Sequence, residues 1–202
     1  HNRWKTVGDV TDENAHPFIE ENIILVHNGT IHNKKELNKD VEVDSHAICH
    51  AIKEHGIVKA LPKIDGAFAL ACYNIDEKQF YLVRNKERPL YFAESESFWC
   101  FASEPWLLYG MAWRNGFKLE KLREIPVATL FSFKIRDENE VEFFEEPVSL
   151  EKPTKQATKY PRYIPPPASN NNLILLPSQW KKKVEVPTLL KKVINHTPSI
   201  PP

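Results

Sequence analysis

The chain has 202 residues, of which 42% are hydrophobic and 11% aromatic, and its 27 basic and 27 acidic residues give a formal net charge of zero. This composition is ordinary for a soluble globular protein and excludes a chain that is disordered throughout. The sequence has no apolar run of about 18 residues and no charged-then-apolar leader, so we predict neither a membrane span nor a signal peptide.

The first predicted element is a buried strand over the apolar run 23–26, which we expect to end in a turn with the sequence HNGT. Gly29 would take a positive φ in that turn, which displays polar groups at the end of the strand. A helix is predicted from Asp44, because an Asp that can cap a helix precedes a segment with apolar residues on one face. Gly56 is the stop signal for this helix.

Three pairs of strands follow, and a short polar stretch separates the two members of each pair. The pairs are GAFALACYN with QFYLVRN, LYFA with FWCFAS, and ATLFSFKI with EVEFF. A short helix, EPWLLYG, lies between the second and third pairs and has Pro105 in its first turn. Hairpins with helices beside them predict an α+β sandwich with mostly antiparallel sheets.

The composition changes after Leu150. Residues 151–202 contain 10 of the 16 prolines and 9 basic against 2 acidic residues, whereas residues 1–150 contain 18 basic and 25 acidic residues. Proline-rich stretches cannot continue a helix or a central strand, so we predict a domain over 1–150 and an extended, basic arm over 151–202.

The arm contains two apolar islands, LILLPSQW and VPTLLKKVI. They are too short to form a core, and we expect them to dock on a protein partner. The lysines around them leave two alternatives, which are contact with nucleic acid and a simple contribution to solubility.

The cysteines and histidines give no sign of a metal site. Cys49, Cys72 and Cys100 are widely spaced in apolar stretches, which predicts buried, reduced thiols in a cytoplasmic protein. No CxxC pair exists, and the spacing of the histidines repeats no known ligand pattern. We therefore predict no metal and no cofactor, and structural hydrogen-bonding roles for His16 and His27 (and likewise for His1).

Six linked motifs carry a resemblance to a known family. They are HNRWKTVG, NAHPF, LVHNGTI followed by an EL pair, the Asp of VDSHAI, IDGAFAL, and LVRN followed by RPLYF. Their order and approximate spacing resemble those of class II glutamine amidotransferase domains, which are N-terminal-nucleophile hydrolases. The resemblance covers about residues 1–135 and implies a four-layer αββα sandwich.

The resemblance also implies a reaction and its residues. An N-terminal Cys attacks the side-chain amide of glutamine, and the thioester that forms releases ammonia before water frees glutamate. The Asn28 side chain and the Gly29 N–H would stabilise the oxyanion. Outside the motifs, an Asn-Gly pair is usually only a turn.

The same resemblance assigns the binding of glutamine. Arg3 would hold the α-carboxylate with its planar fork, and Asp44 would hold the α-ammonium group. Trp4 and Thr6 would shape the floor of the pocket. The plainer alternatives are a surface position for Arg3, a core position for Trp4 and a helix-capping role for Asp44.

The nucleophile is not in the printed sequence, because position 1 is His and the three cysteines fall within predicted strands or on the apolar side of a helix. We expect a Cys in a segment before His1, and ammonia passing to an acceptor domain or subunit. The alternatives are an inactive glutaminase-like domain that binds through its arm, and a hydrolase for another amide. The pairing of Arg3 with Asp44 argues against a hydrolase for another amide, since these two groups would bind the α-carboxylate and the α-ammonium group of an amino acid.

Overall fold

The computed structural model describes residue 11, residues 14–136 and residues 140–150. Arg3, Trp4 and Thr6 lie outside these residues, as does the whole predicted arm. The strands of the described part are β1 Phe18–Glu20, β2 Ile23–Ile31, β3 Gly66–Asn74, β4 Gln79–Arg84, β5 Tyr91–Glu94, β6 Trp99–Ala102, β7 Lys121–Glu124, β8 Thr129–Ile135 and β9 Val141–Pro147. The helices are α1 Lys34–Leu37, α2 Asp44–His55, α3 Ile57–Ala60 and α4 Pro105–Asn115, and a 3₁₀ turn covers Leu61–Lys63.

A six-stranded antiparallel sheet with the order β1-β2-β3-β4-β8-β9 forms the centre of the domain. β3 is buried on both faces. Successive side chains of a strand point to opposite sides, so β3 contributes to two different cores. Phe68 and Leu70 pack on the side of α2, whereas Ala69 packs on the side of the second sheet. A strand that is apolar at nearly every position is typical of such a central location.

The second sheet has three antiparallel strands in the order β6-β5-β7. Aromatic rings join it to the first sheet, with Phe92 of β5 at 5.6 Å from Phe131 of β8 and 5.5 Å from Phe133. Phe80 and Phe101 form a further contact between the sheets, at 5.3 Å. These aromatic contacts hold the two sheets together and bury Phe92, Phe131 and Phe133 between them.

Helices cover the outer faces and complete four layers. α2 packs on β1 and β2, and α4 packs on β6. Ala47, Ile48 and Ile52 of α2 are at most 2% exposed, in a core that they share with the large sheet. This arrangement confirms the predicted αββα sandwich with mostly antiparallel sheets.

All three predicted strand pairs are present, and the helix from Asp44 ends before Gly56 as predicted. The predicted turn HNGT is wrong, because β2 continues through it to Ile31 in unbroken register with β3. α4 is longer than expected and ends at Asn115, before Gly116 in the left-handed conformation. The sequence analysis did not identify the short elements β1, β7, α1 and α3.

Within the described ranges 14–136 and 140–150, no helix is long and apolar enough to cross a membrane.

Candidate functional site

A cleft of about 790 Å³ lies where the end of β2, the start of α2 and the loop after β4 meet. Asn28, Gly29 and Asp44 all line it. These are the three predicted site residues that the structure describes, and the fold brings all of them to one place. Arg3, Trp4 and Thr6 lie outside the described residues, so their predicted roles stay predictions.

The pairing of β2 with β3 sets the direction of the Gly29 N–H. Gly29 lies opposite Phe68, whose N–H and carbonyl are both bonded to Asn85 on the far side of β3. Gly29 and Phe68 are therefore a non-hydrogen-bonded pair, in which the N–H groups point out of the ladder. The Gly29 N–H is directed to the same edge at which the Ile31 N–H donates to Asp44.

Position 29 has no room for a side chain. Gly29 has a φ of +151°, which favours glycine. A Cβ at this position would lie 1.9 Å from the Ala67 carbonyl oxygen and 2.7 Å from His27 Nε2. The strand therefore keeps its register at this point only with glycine, and the backbone of position 29 stays accessible at the cleft.

Asp44 fixes the start of α2 against β2. Its Oδ2 accepts a hydrogen bond from the Ile31 N–H at 3.2 Å, and its Oδ1 accepts one from the Ser45 N–H at 2.9 Å. The residue is 4% exposed and is the first residue of the helix. A carboxylate at a helix N-terminus is stabilised by the helix dipole. Asp44 therefore helps to hold the start of the helix and also presents negative charge to the cleft.

His27 lies beneath the edge of the cleft and joins three elements. Its Nδ1 is 3.0 Å from Ser45 Oγ on α2, and its Nε2 is 3.4 Å from the Ala67 carbonyl oxygen on β3. Because a carbonyl can only accept, Nε2 carries the proton and Nδ1 accepts from the serine hydroxyl. Burial lowers the pKa of His27 below 6.5, so the imidazole is neutral at pH 7. The predicted structural role of His27 is confirmed.

The loop after β4 is held by two buried polar side chains, Arg84 and Asn85. Asn85 accepts from the Phe68 and Glu87 N–H groups and donates to the Gly66 carbonyl at 2.6 Å. Arg84 donates to the carbonyl groups of Ile125, Asn85 and Arg88 and forms an ion pair with Glu124 at 3.0 Å. Together they fix the segment that forms the second wall of the cleft.

Sequence reasoning assigned no part in the cleft to four residues that line it. Arg88 and Ser103 line it with polar groups, and Phe101 and Leu107 add an apolar side. Arg88 is half-buried, and its charge also lowers the pKa of His27. The RPLYF motif was a signal for Arg88, but no pattern in the sequence indicated that β6 and α4 reach the cleft.

None of the three cysteines lines the cleft. All three are free thiols, with Cys49 and Cys72 buried and Cys100 half-buried. Burial raises the pKa of Cys49 and of Cys72 to about 12, and it raises the pKa of Cys100 as well. A thiol of this kind is unreactive at neutral pH, so the expectation of inert cysteines is confirmed.

Across the described residues, no cluster of three or more His, Cys, Asp or Glu side chains is placed to hold a metal ion. His16 lines the cleft and contacts the edge of Phe18 at 4.9 Å. His1 lies outside the described residues.

Comparison with known families and curated proteins gives consistent matches. The model of a family described as a glutamine amidotransferase domain matches residues 1–109. The chain is 35% identical to the glutamine–fructose-6-phosphate aminotransferase (isomerizing) of Bradyrhizobium diazoefficiens, over 35% of this chain and 15% of the relative. It is 39% identical to the corresponding protein of Thermococcus kodakarensis, over 45% of this chain and 18% of the relative. The matches thus span less than a fifth of these relatives.

Solved structures with a similar fold include the glutamine phosphoribosylpyrophosphate amidotransferase from B. subtilis. The TM-score is 0.56 at 21% sequence identity, and the match covers 75% of this chain and 34% of that chain. A second structure, an allosteric regulatory enzyme of purine biosynthesis, matches with a TM-score of 0.52 at 21% identity, over 69% of this chain and 32% of that chain. At this level of identity the likeness concerns the fold alone.

Proposed function

The chain belongs to the glutamine amidotransferase domain family, and we propose that it is the glutamine-hydrolysing part of an enzyme that delivers ammonia to an acceptor on another domain or subunit. The observation that carries this proposal is the meeting of Asn28, Gly29 and Asp44 at one cleft. The Asn28 amide and the Gly29 N–H can donate to a developing oxyanion, and the Asp44 carboxylate can accept from an ammonium group. The names of the matched relatives, which are aminotransferases, favour an enzyme over an inactive domain.

The proposed reaction begins with the thiolate of an N-terminal Cys. Its sulfur attacks the side-chain amide carbon of glutamine, and the chain's own α-amine takes the thiol proton. The amide oxygen becomes an oxyanion, to which the Asn28 Nδ2–H and the Gly29 N–H donate. The carbon–nitrogen bond then breaks, and the nitrogen takes the proton and leaves as ammonia. Water hydrolyses the thioester to glutamate and restores the thiol.

Recognition of glutamine requires one group for each of its two backbone charges. We assign the α-ammonium to Asp44, whose buried carboxylate lines the cleft. We assign the α-carboxylate to Arg3, and the pocket floor to Trp4 and Thr6, from the family resemblance. A charged hydrogen bond that is lost from such a site costs about 1.5–3 kcal/mol, which is roughly 10-fold to 150-fold in affinity.

We propose that the nucleophile is a Cys other than the three in this sequence. Cys49, Cys72 and Cys100 are unreactive thiols outside the cleft, and therefore none of them can form the thioester. We accordingly expect the natural chain to carry a Cys at its processed N-terminus. The cytoplasmic location predicted from the free thiols stays a prediction.

The proposed reaction requires an acceptor for the ammonia that it releases. The curated relatives are more than five times as long as their matched segments, so most of each relative lies outside the match. We therefore propose that ammonia passes to a separate domain or subunit. Docking of the arm on a protein partner, with nucleic acid as the alternative, stays a prediction.

The experiment that tests the proposal uses the natural full-length protein. Its N-terminus is determined by intact-mass analysis and sequencing, and the protein is then treated with a diazoketone analogue of glutamine, which alkylates the attacking thiol. We expect labelling of a new N-terminal Cys, together with release of ammonia from glutamine. Labelling of Cys49, Cys72 or Cys100, or no N-terminal Cys and no ammonia, would reject the proposal.

Variants of the same protein test the two assigned groups. Asp44→Asn should raise the KM for glutamine at least 10-fold, and Asn28→Ala should lower kcat by about 100-fold, the usual cost of one oxyanion donor. The matched control is Asp76→Asn in the exposed turn after β3, which should leave both constants unchanged. Equal melting temperatures show that the variants are folded. An unchanged KM in Asp44→Asn would remove Asp44 from the site.

A further inference from the structure

α4 presents an unusually apolar surface to solvent. Trp106, Tyr109 and Trp113 are 64%, 57% and 63% exposed. Their spacing of three and four residues places them in one stripe along the helix. Arg114 is the only charged residue of α4. Exposed aromatic stripes without charges are typical of surfaces that bind another segment or protein.

A second feature of α4 is open space beside this stripe, where Gly110 carries no side chain. Leu107 and Met111, which are 39% and 37% exposed, lie on the other side of the helix. Gly110 lies between them and the aromatic stripe, and a Cβ added there would meet nothing within 4 Å. Glycine is unfavourable in the middle of a helix. No packing in the described structure requires it at this position, but close approach of another chain segment would.

We infer that the first apolar island of the arm, residues 173–180, docks on this face of α4, which we call the α4 groove. The island LILLPSQW contains four aliphatic residues and Trp180 and has no charge. It therefore matches the α4 groove in character. Lys181–Lys183 follow the first island without interrupting it, whereas Lys191 and Lys192 lie within the second island, which therefore matches the α4 groove less well.

The length of the chain allows this contact. The last described residue, Leu150, packs against the core between α2 and the large sheet. Residues 151–172 separate it from the island and can span about 70 Å when extended. A domain of this size has a diameter of about 40 Å, so the island can reach α4 on the far side.

Two further properties favour the island over a separate molecule. A segment tethered by a linker of this length has an effective concentration in the millimolar range, which a free partner rarely reaches. The arm has 9 basic and 2 acidic residues, whereas residues 1–150 have 18 basic and 25 acidic residues. The opposite charges of the two regions draw the arm towards the domain.

The inference is tested on the full chain by hydrogen exchange and mass spectrometry. Replacement of Leu175 and Leu176 by Asp should accelerate exchange of the amides at 107–115 at least 10-fold. The matched control replaces Leu189 and Leu190 by Asp in the second island and should leave these amides unchanged. Equal exchange at 107–115 in both variants and the parent chain would overturn the inference.

Two more measurements identify the occupant directly. A photo-crosslinking amino acid in place of Trp180 should form a bond to residues 105–115 within the same chain. Gly110→Gln, which fills the groove without removing an aromatic ring, should reduce this crosslink at least five-fold. Crosslinks between chains, with a dimer detected by light scattering, would overturn the inference in favour of a second copy. Crosslinks that avoid 105–115 altogether would overturn it too. None of these readouts depends on glutamine hydrolysis.

Discussion

His27 connects the two halves of the candidate site. It belongs to the same strand as Asn28 and Gly29, and its Nδ1 bonds to Ser45, the neighbour of Asp44. The proposed oxyanion donors and the proposed ammonium partner are therefore held at a fixed separation by one imidazole. The ring is 2% exposed and neutral. Its hydrogen bonds can hold β2 against α2 only while the imidazole stays uncharged.

This dependence predicts the effect of pH on stability. The pKa of His27 lies below 6.5 in the folded protein and at about 6.5 in the unfolded chain. Between these values the unfolded state binds more protons, so the free energy of unfolding falls as the pH is lowered from about 6.5. His27→Gln removes this titration, and its stability should change less with pH. The difference in slope cannot exceed about 1.4 kcal/mol per pH unit.

Urea unfolding of the parent protein and the variant at several pH values between 5 and 8 measures this slope. The matched control is His55→Gln, which replaces a histidine at the exposed end of α2. Identical slopes in the parent protein and His27→Gln would show that His27 titrates in the folded state as it does in the unfolded chain.

At the scale of elements, the loop after β4 depends on Arg84. Its guanidinium group donates to three carbonyl groups and to Glu124. Lysine has the same charge but no planar fork of donors, and it leaves some of these buried acceptors unpaired. Arg84→Lys should lower the free energy of unfolding by about 2–3 kcal/mol. It should also raise the KM for glutamine, since Arg88 and Leu90 of this loop line the cleft.

Chemical denaturation and glutaminase kinetics on the natural protein measure the two effects. Arg136→Lys is the control, because Arg136 pairs with Glu142 on the exposed surface and should leave both quantities unchanged. A loss of stability with an unchanged KM would show that the loop does not shape the cleft.

The elements that the sequence predicted share a strong local signal. The pairs β3–β4, β5–β6 and β8–β9 are formed by apolar runs around short polar stretches, which determine a hairpin by themselves. The extent of β2 could not be found in this way, because HNGT has the composition of a turn. The strand conformation of HNGT comes from pairing with β3 and from the hydrogen bond between Ile31 and Asp44. Both partners are distant from HNGT in the sequence.

The site was predictable to the extent that its residues lie in motifs. Asn28, Gly29 and Asp44 were proposed as site residues from their order along the chain, and the fold brings them to one cleft. Phe101, Ser103 and Leu107 could not be identified, because their part in the cleft depends on how the small sheet and α4 lie against the large one. Such a packing geometry leaves no local pattern in the sequence.

At the scale of the molecule, two cores share one sheet. The core on the α2 side contains Phe68 and Leu70, and the core between the sheets contains Ala69 from the same strand. Neither core can lose its packing without exposing one face of β3 to water. The four layers should therefore unfold together, although α2 and α4 lie on opposite outer faces.

A substitution in α2 tests this cooperativity. Ile48 is fully buried on the α2 side, and Ile48→Ala should lower the free energy of unfolding by about 2–5 kcal/mol because it leaves a cavity. When Trp4 and Trp180 are replaced by Phe, the remaining tryptophans, Trp99, Trp106 and Trp113, all lie in the small sheet or in α4, on the far side of the molecule. Their fluorescence should nevertheless report the same lowered midpoint as far-ultraviolet circular dichroism. Val58→Ala, at an exposed position, should leave the midpoint unchanged. If the tryptophan transition kept the parent midpoint while the dichroism transition moved, the α2 layer would unfold independently and β3 would not couple the two cores.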